Sequence, residues 1–174
     1  MKKTISIIIS IAMCAMLASC GGVKNEVSDT EQPTLIDTMS LEEKVGQILF
    51  VRCVEDGQTD DLMSIKPGGI LMFGRDFEGL TKDEVKEKIQ SYQDKSDIPL
   101  IIGADEEGGT VVRVSSNPNL APEKFKSPQE IYNEGGMDAV VENATEKSEL
   151  LLSLGVNMNI APVADVSTNP SDYM

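Results

Sequence analysis

The 174-residue sequence contains no histidine. That removes a histidine general acid, a serine–histidine pair and a histidine-ligated metal site from consideration. Positive charge is scarce: 15 lysines and arginines stand against 29 aspartates and glutamates, a formal charge of −14. A basic surface is therefore not expected, and the charge argues against nucleic acid as a partner. Cysteine is scarce too. Cys14 lies within an amino-terminal leader and Cys20 at its end, which leaves Cys53 as the single thiol of the remaining chain. No intramolecular disulfide between free thiols is expected. Cys53 follows an apolar stretch and reads as a small buried hydrophobe rather than a nucleophile. Long hydrophobic runs are missing as well: the leader's apolar segment, Ile5 to Leu17, is too short for a comfortable membrane span.

The stretch that is richest in chemistry runs from Pro99 to Arg113. Leu100 to Ala104 is apolar at every position and reads as a strand of a parallel sheet, buried on both faces. Asp105, Glu106 and Glu107 follow at once, then Gly108 and Gly109, then Arg113. In parallel α/β folds the loops at the carboxyl ends of the strands build the active site. The two glycines let the backbone turn tightly and let a ligand come close. By residue type alone an ordinary polar turn is the competing reading. Neighbours on an extended segment point to opposite sides, so Asp105 and Glu107 share one side. A metal held by the three carboxylates is weakly supported, and neither a metal nor a cofactor is expected.

The rest of the chain alternates helix and strand. Ser40–Glu43 is a capping box that starts a helix at Leu41. Ile48 to Cys53 reads as a first strand and Thr59 to Lys66 as a helix stopped by Pro67-Gly68-Gly69. Ile70 to Phe73 is a second strand, which Gly74-Arg75-Asp76 leaves. Thr81–Glu84 is another capping box, and its helix turns Val85, Ile89 and Tyr92 inward. After the Leu100–Ala104 strand, Ser115 to Lys126 is a loop. Ser127-Pro128-Gln129-Glu130 opens a short helix that Gly135-Gly136 ends. Met137 to Leu154 reads as a long helix with Val140, Val141, Ala144, Leu151 and Leu152 inward and Gly155 as its left-handed stop. A fourth strand falls within Asn157 to Val166, with Asp165 at its carboxyl end. The pattern predicts an α/β fold with right-handed crossovers and a parallel sheet. About four βα units make the amino-terminal half of a (β/α)8 TIM-type barrel; an open flavodoxin-like parallel sheet is the alternative, and the pattern does not separate the two.

Asp105-x-Glu107-Gly108-Gly109 with Val111 and Arg113 resembles the D-x-E-G-G-x-V-x-R segment of family 3 glycoside hydrolases, in particular the β-N-acetylhexosaminidase branch. Met39–Gln47, Gly68–Phe73 and Asn157–Val166 agree with three further segments in order and spacing, and the similarity runs from about Leu35 to the last residue. The resemblance implies the barrel and a retaining hydrolysis of terminal β-linked N-acetylhexosamine from cell-wall or other glycans. It matches Asp105 to an aspartate that accepts hydrogen bonds from sugar hydroxyls, which suits a carboxylate, and Arg113 to an arginine that helps bind the sugar. For Arg113 the alternative is a structural ion pair with Glu106 or Glu107. Glu107, Gly108, Gly109 and Asp165 match supporting positions. Glu106 stands where glutamine is frequent and Thr110 where arginine is. Glycoside hydrolysis needs a proton donor and a nucleophile. The family's later strand-end aspartate and its Asp-His donor have no counterpart, so the chain reads as a truncated piece without catalytic groups. The alternative function is a non-catalytic glycan-binding surface lipoprotein. A free half-barrel would leave two unpaired strand edges and an open apolar interior, both aggregation liabilities.

Residues 1–19 form a signal peptide, with Lys2 and Lys3 as its positive start. Leu17-Ala18-Ser19-Cys20-Gly21 resembles a bacterial lipobox. That implies cleavage before Cys20, a diacylglycerol on its thiol and anchoring to the extracytoplasmic face of the cell membrane. Residues 20–34 read as a flexible tether and 35–174 as the partial catalytic barrel. The expected partners are a carbohydrate and, through the lipid, the membrane.

Overall fold

The computed structural model describes residues 34–55 and 57–164. The signal peptide, Cys20, nearly all of the tether and Asp165 lie outside the described residues. Four strands, β1 (Phe50–Arg52), β2 (Gly69–Met72), β3 (Ile101–Ala104) and β4 (Met158–Asn159), form one sheet in the order β1-β2-β3-β4. Every neighbouring pair is parallel. The helices are α1 (Leu35–Thr38), α2 (Leu41–Gln47), α3 (Thr59–Ser64), α4 (Gly74–Phe77), α5 (Lys82–Gln93) and α6 (Pro128–Leu154).

The α/β class expected from the alternating pattern holds. Strand order runs straight through the sheet, and the helices that pack on it cover one face. That is the layout of one half of a barrel; a flavodoxin-like sheet reverses its strand order at a switch point and carries helices on both faces.

Local chemistry accounts for the helix starts. Ser40 Oγ accepts the Glu43 N–H while the Glu43 carboxylate accepts the Ser40 N–H. Thr81 with Glu84 and Ser127 with Glu130 repeat the arrangement, as the spacing predicts. Gly155, with φ 91°, closes α6.

Pleating sends alternate residues to opposite faces. Ile70, Met72, Ile102 and Ala104 point to one face and are shut off from solvent by Met63 of α3, Val85, Ile89 and Tyr92 of α5, and Leu151 and Leu154 of α6. Phe50, Ile101, Met158 and Ile160 belong to the other face and remain 38–44% exposed. On that face the Phe50 ring lies across two glycines: a Cβ at Gly69 or Gly103 would sit 2.6 Å from it. Cys53 is buried as expected, with its sulfur 3.1 Å from the Tyr92 hydroxyl, and burial pushes its thiol pKa up.

Three expectations need correction. β1 is shorter than Ile48–Cys53, because Ile48 closes α2 through its N–H to Val45. Gly74-Arg75-Asp76 does not merely leave β2 but forms α4, started by Asp76, whose carboxylate accepts the Phe73 N–H at 2.7 Å. The inward face of α6 is only partly the one expected, since of the row expected inward Leu151 alone is buried. The chain breaks at Gly136 (φ 69°, ψ −158°) and the helix resumes at once. Its buried row is Lys147, Leu151 and Leu154, while Val141, Ala144 and Leu152 are exposed. Val141 and Leu152 lie roughly 100° around the helix from that row. The helix can turn a lysine inward because the amine finds a carbonyl there.

Candidate functional site

The alternation that sorts β3 into two faces continues past its end. Asp105 follows Ile101 and Gly103 towards the open face; Glu106 follows Ile102 and Ala104 towards the packed one. Glu106 is accordingly 0% exposed. A buried carboxylate needs donors, and the chain supplies four. Glu106 Oε2 accepts the N–H groups of Arg113 and Val114, each at 2.7 Å, and Oε1 accepts the Ser115 N–H at 3.3 Å and the Ser115 hydroxyl. Ser115 Oγ in turn accepts the Phe125 N–H. Glu106 thereby folds the segment after the glycines back under β3 and delivers Arg113 to the rim.

There Arg113 Nη2 meets Asp105 Oδ2 at 3.2 Å. The pairing expected as an alternative, with Glu106 or Glu107, does not form; Glu106 holds the backbone of residue 113 instead. Both side chains of the pair stay about a quarter exposed (26% and 24%). The Arg113 guanidinium also lies 5.6 Å from the centre of the Phe73 ring, at the end of β2, and the Arg52 guanidinium, at the end of β1, lies 4.6 Å from the same ring.

The Glu107 carboxylate accepts the Val163 N–H at 3.1 and 3.2 Å, tying the turn to the exit of β4. Gly108 (φ 105°) and Gly109 (φ 65°) adopt left-handed backbone. A Cβ on Gly108 would fall 2.1 Å from the Lys126 carbonyl oxygen, so the turn needs glycine there for space as well as for φ.

Two further residues shape the turn and a third holds β3, without having been singled out as site residues. Lys147 Nζ donates to the Glu107 carbonyl at 2.6 Å. Burial pushes its pKa down, opposed by the nearby charges of Glu106 and Glu107. Asn159 exchanges two hydrogen bonds with the Glu106 backbone, and Asn157 does the same for Ile102 and Leu100. The legible signal was a pair of amides spaced two apart in an otherwise apolar strand, and a lysine in register with Leu151 and Leu154. Asp165 and Cys20 lie outside the described residues.

Residues 40–173 match the Glycosyl hydrolase family 3 N terminal domain. The chain belongs to glycosyl hydrolase family 3. Among its relatives, Beta-hexosaminidase A of Pseudoalteromonas piscicida is 31% identical over 108 residues, 60% of this chain and 18% of that protein. Beta-hexosaminidase of Haemophilus influenzae is 24% identical over 98 residues, 56% of this chain and 27% of that protein. The chain thus spans between about a fifth and a quarter of the length of these curated relatives. A glycoside hydrolase family 3 beta-N-acetylglucosaminidase from Paenibacillus sp. str. FPU-7 superposes with a TM-score of 0.62 at 25% identity, over 71% of this chain and 24% of that one. A family 3 member from Mycobacterium smegmatis gives 0.63 at 22% identity over 78% and 39% of the two chains, which speaks to the fold alone.

In barrels of this kind the carboxyl-terminal rim carries the chemistry and the opposite end carries stability. Asp105, Arg113, Phe73 and Arg52 of this family 3 chain stand at that rim. A cavity of about 240 Å³ lies at the other end, among Glu43, Gln47, Lys66 and Ile98, which precede the strands. Its lining holds none of the site residues above.

Proposed function

We propose that this family 3 chain carries the sugar-binding rim of a retaining glycoside hydrolase that releases terminal β-linked N-acetylhexosamine from glycans, cell-wall glycans among them. The observation that supports the reading is the Asp105–Arg113 pair at 3.2 Å, left partly open to solvent. A carboxylate can accept from two adjacent hydroxyls while the planar guanidinium donates to the same ring. The hexosaminidase names of the relatives agree with it. On this reading the 174 residues bind sugar without turning it over, because the nucleophile and proton donor have no counterpart in them, and a lipid on Cys20 holds the domain on the extracytoplasmic side of the membrane.

The test pairs two measurements on the 174-residue chain: hydrolysis of an aryl β-N-acetylglucosaminide, and calorimetric binding of N-acetylglucosamine. Binding that falls about 10- to 100-fold in Asp105→Ala, the loss expected for charge-assisted hydrogen bonds, together with no turnover, supports the reading. Clear turnover overturns the missing catalytic groups, and binding that Asp105→Ala leaves untouched overturns the role of the pair.

A further inference from the structure

Arg52 stands out on the open rim as a cation with no counter-charge among the described residues. Its neighbours at the strand ends are all engaged. Arg113 is paired with Asp105. Arg75 reaches Glu55, Asp76 and the Cys53 carbonyl, and the Asp76 carboxylate caps Phe73. Arg52 has neither an ion pair nor a hydrogen bond among the described residues, in a protein whose formal charge is −14. Its guanidinium lies over the Phe73 ring at 4.6 Å, and Arg113 approaches the same ring. A cation–π contact of this kind braces the side chain while its N–H groups stay free to donate. Arg113 contributes a second unused donor: its Nε is buried without a hydrogen-bond partner among the described residues, and such orphans call for a partner. Among the described residues, Arg52 thus brings a second guanidinium to the rim where Arg113 pairs with Asp105, beside the position proposed for the sugar.

We infer that Arg52, braced on Phe73 beside the Asp105–Arg113 pair, recognises an anionic substituent on the sugar ligand, a carboxylate, sulfate or phosphate. The inference rests on the sugar-binding role proposed for Asp105 and Arg113. Arg52 is a specificity residue on this view and takes no part in bond cleavage. Register supports the placement. Arg52 pairs with Leu71 in the sheet, and Leu71 pairs with Gly103. Phe73 and Asp105 therefore come two residues further along on the same open face.

The experiment uses the protein as its gene encodes it and compares N-acetylglucosamine with its 3-, 4- and 6-sulfates by titration calorimetry, in wild type and Arg52→Gln. At least one sulfate is expected to bind about tenfold more tightly than the neutral sugar, the scale of one charge-assisted contact. That preference should shrink with added salt and vanish in Arg52→Gln, while the neutral sugar binds unchanged. Arg52→Lys keeps the charge without the flat fork and should retain part of the preference. It supplies the comparison if Arg52→Gln lowers the melting temperature. No preference among the four sugars overturns the inference and leaves the sugar site standing. Equal loss of neutral and sulfated binding in Arg52→Gln also overturns it and makes Arg52 a brace for Arg113. Failure of all four sugars to bind overturns both readings.

Discussion

Turned towards the helices, Ile70, Met72, Ile102 and Ala104 are shut off from water; on the other face of the same sheet, Phe50 and Ile101 are about two-fifths exposed. The same pleat makes both faces, and both are apolar, yet they end differently. The packed series of β3 runs Ile102, Ala104, Glu106 and finishes in a carboxylate fully satisfied by the chain itself. The open series runs Ile101, Gly103, Asp105 and finishes in a carboxylate paired with one arginine and still reachable from solvent. Two adjacent acids of the same motif thus come to differ, one holding the loop and one paired with an arginine at the solvent-facing rim. Their order on the strand decides which is which.

The comparison can be broken most sharply at its centre. In the protein as encoded, Ile102→Ala is expected to lose about 2–5 kcal/mol of stability by opening a cavity in the packed face, whereas Ile101→Ala should lose less than about 1 kcal/mol; denaturant titration reads both. Similar losses at the two positions would mean that the open face is covered in solution.

A smaller effect is expected one step further along. Glu106→Ala strands three backbone N–H groups and should cost about 3 kcal/mol. Glu106→Gln keeps an acceptor for Arg113 and Val114 and a donor for the Ser115 hydroxyl, so about 1 kcal/mol is expected. If the two variants match, the carboxylate is not what holds the loop.

Lys147→Met removes a buried amine and its bond to the Glu107 carbonyl together, two changes of opposite sign, so stability near neutral pH should move by less than about 1 kcal/mol. Its signature lies in the alkaline limb. Burial lowers the folded-state pKa of Lys147 below 10.5, so the unfolded chain holds that proton to higher pH. Stability from this group therefore rises as pH climbs towards 10.5, and the variant should lack the rise.

The smallest effect is expected at the far end of the sheet. The Lys66 ammonium, with the Ser40 N–H, holds the Glu43 carboxyl at about 2 instead of 4.5. A lowered folded-state value contributes stability above 4.5 that is lost as pH falls towards 2. Glu43→Gln should flatten the acid limb of a pH-dependent melt in that window without altering sugar binding.

Much of this was written locally. Three capping boxes, the left-handed Gly108, Gly109 and Gly155, the inward row of α5 and the apolar β3 are each decided within a few residues of chain, where spacing and steric rules operate directly. The site was legible as far as Asp105, Arg113 and the glycine turn. Val141, Ala144 and Leu152 were misjudged as inward on α6, and nothing within the helix announces that Lys147 finds the carbonyl of Glu107 forty residues away.

By itself, then, the sequence determined the alternation of helices and parallel strands, the capped starts of α2, α5 and α6, and the stretch that carries the three adjacent carboxylates. Only the tertiary structure decided that Arg113 pairs with Asp105 rather than Glu106 or Glu107, that Lys147 and Asn159 brace the turn while Asn157 holds β3, and that Arg52 shares a ring with Arg113. Caps and turns close over three or four residues and are settled by short-range geometry. The choice among three neighbouring carboxylates depends on where strands distant in sequence place their donors.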